Sequence, residues 1–274
     1  MSRYGKGLRR PAASKLLRRA HASRLLAAQT PKGAADLGPF LGPRFDQGAT
    51  GTCHAHSGVS AVMCARNAKG NPLPWVASPL LLASTTYADV RAAAFPTGPL
   101  PPLEDTGADL SDDAAALAKW GAGPIMALVQ GRYSDVPDDL PGVPFPEPPD
   151  PLQNPELTIA GQNLIAGEYT IPIDQDAPTL CALSLDAAVP VWVGTFVDTA
   201  FEELSPNGIA QPADPNDPNG GGHAVYLSAY RSGPDGYEFR VENSWGAGWC
   251  DNGSCWASSA WVRACWMLWP MAVK

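Results

Sequence analysis

The spacing of apolar residues changes partway along the chain. Between residues 53 and 120, three stretches carry apolar side chains at helical spacing, namely "CHAHSGVSAVMCARNA", "SPLLLASTTYADVRAAA" and "ADLSDDAAALAKW". The first helix is expected to begin at Cys53, with Thr52 as its N-cap. The second is opened by Ser78 and Pro79, because proline fits the first helical turn without losing a needed N–H. The third is ended by Gly121. Beyond residue 167 the period shortens to two. "EYTIPI" and "VPVWVGTFV" read as strands flanking a short helix at "TLCALSLDA", and "HAVYLSAY" and "GYEFRVENSW" read as a hairpin joined by "RSGPDG". Helices first and antiparallel strands later predict an α+β protein with a helical lobe and a sheet lobe.

Charge divides the chain differently. Residues 1–34 hold nine Lys and Arg and no acidic residue, whereas the remainder holds ten basic and all 27 acidic residues, so a +9 arm is joined to a −17 body in a chain of net charge −8. The domain reading is therefore a basic arm over 1–34 and one globular domain over 35–274. A Pro-rich acidic insertion interrupts that domain at about 133–155. In the arm, Leu16, Leu17, Ala20 and Leu25 fit a short amphipathic helix. Arg18, Arg19 and Arg24 break the apolar run that a secretory signal needs, and no apolar stretch reaches the roughly 20 residues of a membrane-spanning helix. The expected place is then the cytoplasm or a larger assembly. The arm has few apolar residues with which to build a folded base, so it is expected to anchor the protein to an acidic partner, nucleic acid or an assembly surface rather than to block a site.

Candidate chemistry concentrates in "QGATGTCHAHSG", residues 47–58. Cys53, His54 and His56 could be metal ligands, but a closed zinc site needs about four ligands at known spacing and no second CxxC or HxxxH pair exists. The alternative is a nucleophile. A thiol at a helix N-terminus meets free N–H groups and the positive end of the helix dipole, which favour the thiolate. It further needs a base, a group that orients the base, and donors for an oxyanion. His223, behind three glycines, is the best base candidate. Asn243 ends the next strand on the inward face and can accept the His N–H that points away from sulfur. Trp245 can cover that hydrogen bond, and Gln47 can supply a side-chain amide beside the Cys53 N–H.

"QGATGTC", "GGHAV" and "NSWGAGW", in this order, resemble the papain-like cysteine peptidases, in particular their bacterial and viral branch. The resemblance implies a two-lobe fold with a helical lobe, an antiparallel sheet or barrel lobe, and the active site in the cleft between them. It implies Gln47 as oxyanion residue, Cys53 as nucleophile, His223 as base and Asn243 as orienter. It also implies Gly107, Trp245 and Trp249 as substrate-binding residues. The chain departs from the pattern in two ways: His54 stands where the family usually has Trp, and Thr50 and Glu104 stand at both ends of a disulfide that papain itself carries.

The implied activity is hydrolysis of peptide bonds through a Cys53 thioester, with a peptide or protein substrate, no cofactor and no metal. The rival readings are a structural or assembly component with dormant activity, and an amidase or transpeptidase acting on cell-wall peptide. Of the other cysteines, Cys64 and Cys181 read as core thiols, while Cys250 and Cys255 are close enough for a loop disulfide. Cys53 is expected to be the most acidic of the six thiols.

Overall fold

The computed structural model describes residues 4–10, 20–21, 29–123, 148 and 169–273. Its strands are β1 (Ala20–His21), β2 (Ala35–Asp36), β3 (Tyr169–Thr170), β4 (Val191–Val197), β5 (Ile209–Ala210), β6 (Gly221–Gly233), β7 (Gly236–Glu242), β8 (Ser254–Ser258) and β9 (Met267–Pro270). Its α-helices are α1 (Cys53–Ala68), α2 (Pro79–Ala94), α3 (Leu110–Trp120), α4 (Ala177–Asp186), α5 (Thr199–Glu202) and α6 (Ser259–Ala264). The Pro-rich insertion lies outside the described residues apart from Pro148. So does most of the stretch expected to form a helix in the arm. Its two described residues, Ala20 and His21, are extended and pair in parallel with Tyr169 and Thr170.

Helices α2 and α3 start where their caps direct, whereas Thr52, at the expected N-cap of α1, makes no side-chain cap hydrogen bond. The Ser78 side chain accepts from Leu81 N, Asp109 accepts from Ser111 N and Asp112 N, and Gly121 closes α3 at φ 74°. Each Ser or Asp occupies N–H groups that a helix start leaves without intrahelical partners. In the second half the order β5-β8-β7-β6-β4-β9 forms one sheet, with β2 added beside β6. It is antiparallel throughout except that β5 pairs with β8 in parallel, so the expected antiparallel sheet is a mixed one. The hairpin turn is tighter than expected, since Gly233 already pairs with Gly236.

Helix α1 joins the lobes. Its residues from Cys53 to Val59 are all buried. Trp192 of β4 donates its indole N–H to Ser57 Oγ at 2.8 Å. A Cβ on Gly58 would meet that indole at 2.8 Å, so only glycine lets β4 lie this close. The start of α1 is thereby fixed against β4 and β6, where the sheet presents His223.

Candidate active site

Cys53 opens α1 and is fully buried, as are His54 and His223. On the sheet side, His223 Nε2 and Asn243 Oδ1 are 2.8 Å apart. The Trp245 ring stacks on His223 with centroids 4.5 Å apart. His223 Nδ1 is buried with no hydrogen-bond partner among the described residues. The next residue, Ala224, makes a backbone hydrogen bond to Cys53, so the strand that carries this imidazole meets the start of α1 at the thiol. Gln47 lies under the same spot. Its Oε1 accepts from Ser244 Oγ at 2.5 Å, and its amide donates to Thr50 O at 2.8 Å and Gly5 O at 3.1 Å. Trp249 is buried behind Trp245 at a ring distance of 5.4 Å and donates to Glu202 O, so it backs the cleft wall rather than facing the cleft.

The cleft is not empty. Residues Tyr4 to Arg10 run through it as an extended segment that both lobes pair with. On the helical side, Arg9 N donates to Ala108 O at 2.9 Å and Ala108 N to Gly7 O at 3.1 Å, a parallel bridge centred on Leu8 and Ala108. On the sheet side, Leu8 N donates to Gly222 O at 3.2 Å, and at the far end Gly5 N donates to Gly48 O at 3.2 Å. Tyr4 stacks on Trp245 at 4.3 Å, Lys6 pairs with Glu202, and Leu8, 7% exposed, fills a pocket shared with Leu110, Gly194 and Met267. Only glycines permit this approach. A Cβ on Gly7 would lie 1.7 Å from Gly51 O, one on Gly107 1.8 Å from Gly7 O, and one on Gly222 2.1 Å from Leu8 O. A groove of about 620 Å³ remains beside the segment, between Asp105–Gly107 and Pro218–Gly221.

The expectation that the arm leaves the site clear is therefore corrected for residues 4–10. No folded base is needed, because the lobe edges supply the backbone partners. The sequence carried one sign of this, the alternation of Gly5 and Gly7 with Tyr4, Lys6 and Leu8, which suits an extended strand in close contact with other backbone.

Burial reverses the expected thiol chemistry. The Cys53 thiol is pushed up to about 11 by burial, although backbone hydrogen bonds from Gly7, Ala224 and His54 act the other way. Bonds that stabilise a thiolate donate to the sulfur, so the segment offers Cys53 an N–H rather than a carbonyl carbon. Burial likewise lowers His223 to about 4 against a hydrogen bond to Asn243 that raises it. With the cleft closed, thiol and imidazole are both neutral. Closed, the pair holds one proton on the Cys53 thiol and none on the second nitrogen of the His223 imidazole; opened to a thiolate and an imidazolium, it holds the same single proton on the other partner. Opening then takes up no net proton and should change little with pH near neutrality. The check is the loss of Tyr4–Trp245 stacking, followed by tryptophan fluorescence. A tenfold change per pH unit near neutrality would contradict it.

His54 is engaged elsewhere. Its Nδ1 lies 2.8 Å from Asp113 Oδ2, both side chains fully buried, and its Nε2 lies 2.9 Å from Tyr87 Oη. Tyr87 donates to Asp105 Oδ1 at 2.6 Å, and Asp105 Oδ2 accepts from Gly51 N at 2.5 Å. Both His54 ring nitrogens are committed, so His54 is not available as a metal ligand, while His56 Nδ1 sits 2.9 Å from Thr52 O. Between the loops that carry Thr50 and Glu104, the Gly51 N–H to Asp105 hydrogen bond makes a direct tie. Asp113→Ala should lower stability by about 3 kcal/mol, because it strips the buried His54 of its carboxylate. Urea unfolding measures this, and a change under about 0.5 kcal/mol would refute it. All six cysteines are free, so the loop disulfide that Cys250 and Cys255 are close enough in sequence to form is absent. Cys250 instead points Sγ at Ser205 O while Cys255 is buried on β8.

No protein-family model matches the sequence, and no curated protein matches it. Solved structures do. The chain is similar to xylellain, a cysteine protease from Xylella fastidiosa, at TM-score 0.71 and 22% identity, over 100% of this chain and 97% of that one. It is also similar to procathepsin B S9 from Trypanosoma congolense, at TM-score 0.67 and 13% identity over 98% and 87% of the two chains. A further match is digestive procathepsin L 3 of the Tenebrio molitor larval midgut, at TM-score 0.62 and 18% identity over 98% and 76%. The fold of this chain is the papain-like α+β fold of those cysteine proteases.

Proposed function

We propose that the chain is a papain-like cysteine endopeptidase, described here with its cleft closed by its own N-terminal segment. One observation carries the reading. Cys53, the His223–Asn243 pair and the Gln47 amide converge on one stretch of extended peptide, held by backbone on both sides. With the segment displaced, the helix start and the neighbouring imidazole favour a Cys53 thiolate and a His223 imidazolium. The sulfur forms a bond to the scissile carbonyl carbon. The oxyanion accepts from Gln47 Nε2 and the Cys53 N–H. His223 Nδ1 gives its proton to the leaving amine as the C–N bond breaks. Water then attacks the thioester, passing a proton back to His223 as the C–S bond breaks. Asn243 positions the ring, and Ser244 positions Gln47.

Proforms support the closed state, since two of the similar structures are procathepsins by name. A closed cleft also suits a dormant assembly component, and turnover separates the two. In the chain with the segment displaced, Cys53→Ala should abolish hydrolysis of peptides carrying an apolar residue for the Leu8 pocket. Failure of the displaced chain to cleave any peptide in a broad library would favour dormancy.

A further inference from the structure

Lys6 occupies a pocket of its own. Its ammonium pairs with the Glu202 carboxylate and donates to Asn219 O. The ion pair is enclosed, with the Lys6 and Glu202 side chains only 7% and 10% exposed. The aliphatic stem lies on Gly221, where a Cβ would meet Lys6 Cδ at 2.9 Å. A second carboxylate, Asp217, stands on the same loop, held by Thr199 N at 2.6 Å and Asn219 N at 2.8 Å, and it feels the Lys6 charge. This pocket shapes itself around a long side chain ending in a cation.

Its place in the cleft fixes its use. Glu202 accepts the indole N–H of Trp249 through its backbone, and Phe201 beside it packs on Trp245, which stacks on His223. The Leu8 pocket and the Gly107–Ala108 edge lie beyond Cys53 on the other side. The segment runs from the Glu202 pocket toward the Leu8 pocket and turns a backbone N–H to the thiol. A substrate running the opposite way would lay its acyl half along that edge and its leaving half in the Glu202 pocket. Resting on the peptidase reading above, we infer that Glu202, Asn219 and Gly221 select a lysine or arginine as the first residue after the cleaved bond. Lys6 is the chain's own occupant of that subsite. Buried charge pairs discriminate strongly because the wrong side chain leaves a carboxylate without its cation.

The test uses the full chain carrying Lys6→Ala and Leu8→Asp, which empty both pockets. Four peptides differ only in the residue after the bond, which is Lys, Arg, Ala or Glu. Lys and Arg should exceed Ala in kcat/KM by about tenfold or more, with Glu lowest. Adding Glu202→Gln should bring the Lys-to-Ala ratio close to one. A ratio that Glu202→Gln leaves unchanged overturns the subsite while hydrolysis itself upholds the peptidase. If no peptide is cleaved, the peptidase reading fails and binding judges the pocket. A fluorescent heptapeptide with the sequence of residues 4–10 should bind about tenfold more tightly than its counterpart with alanine for lysine, and Glu202→Gln should erase the difference. Equal binding of the two peptides overturns the subsite.

Discussion

Leu8→Asp should raise kcat/KM for a short peptide by on the order of a hundredfold. Leu8 is the apolar anchor of the segment, 7% exposed against Leu110, Gly194 and Met267. Burying one leucine contributes about 1.5–3 kcal/mol, and each 1.4 kcal/mol is tenfold in occupancy. An aspartate adds the cost of placing a charge in an apolar pocket with no partner. The Tyr4 stack, the Lys6–Glu202 pair and the backbone bonds, each of the last worth only about 1 kcal/mol against water, remain and keep the segment near the cleft without keeping it closed. Removal of residues 1–10 should act in the same direction. An unchanged rate, which is what an arm that merely anchors would give, would show that the segment does not govern the site.

Gln47→Ala, made in the Leu8→Asp chain, should lower kcat by about 10²–10³ while KM moves little. An oxyanion donor acts mainly when charge develops on the carbonyl oxygen, and removal of one such donor typically costs that much. The Gln47 amide is held ready from behind, since Ser244 Oγ donates to its Oε1 and fixes which end of the amide faces the cleft. Ser244→Ala should therefore give a smaller loss in the same parameter. Asn243→Ala should also be milder than Cys53→Ala, because Asn243 orients His223 and carries no proton. A Gln47→Ala effect confined to KM would mean that the amide binds substrate rather than the transition state.

The regular elements were legible because local rules governed them. Ser78 and Pro79, Asp109 and Gly121 mark helix ends whatever lies around them, and the period-two runs gave β6 and β7. The site was legible in outline because a glycine-rich loop before a helix, a histidine opening a strand and an asparagine ending its neighbour each have a local reason. What escaped was long-range. Residues 4–10 touch positions more than a hundred residues away, Gly222 among them, and nothing in "YGKGLRR" names those partners. The His54–Asp113 pair spans 59 residues and can be found only once α1 and α3 are packed. The direction of the Cys53 shift was misjudged for a related reason. A helix N-terminus lowers a thiol pKa, but burial under a segment that no local pattern reveals outweighs it and takes Cys53 to about 11.

Covalent labelling of the thiols with a peptidyl epoxide, followed by peptide mapping, tests the central claim most directly. It is performed on the full chain and on the Leu8→Asp chain at pH 6. Cys53 should react rapidly in Leu8→Asp and at least tenfold more slowly in the full chain, and His223→Ala in the opened chain should abolish the fast phase. Half-buried Cys250 should stay unlabelled in all three, because burial raises its thiol above the ordinary range. Labelling of Cys250 in preference to Cys53 in the opened chain, or a Cys53 rate indifferent to both Leu8 and His223, would contradict a closed-cleft cysteine peptidase.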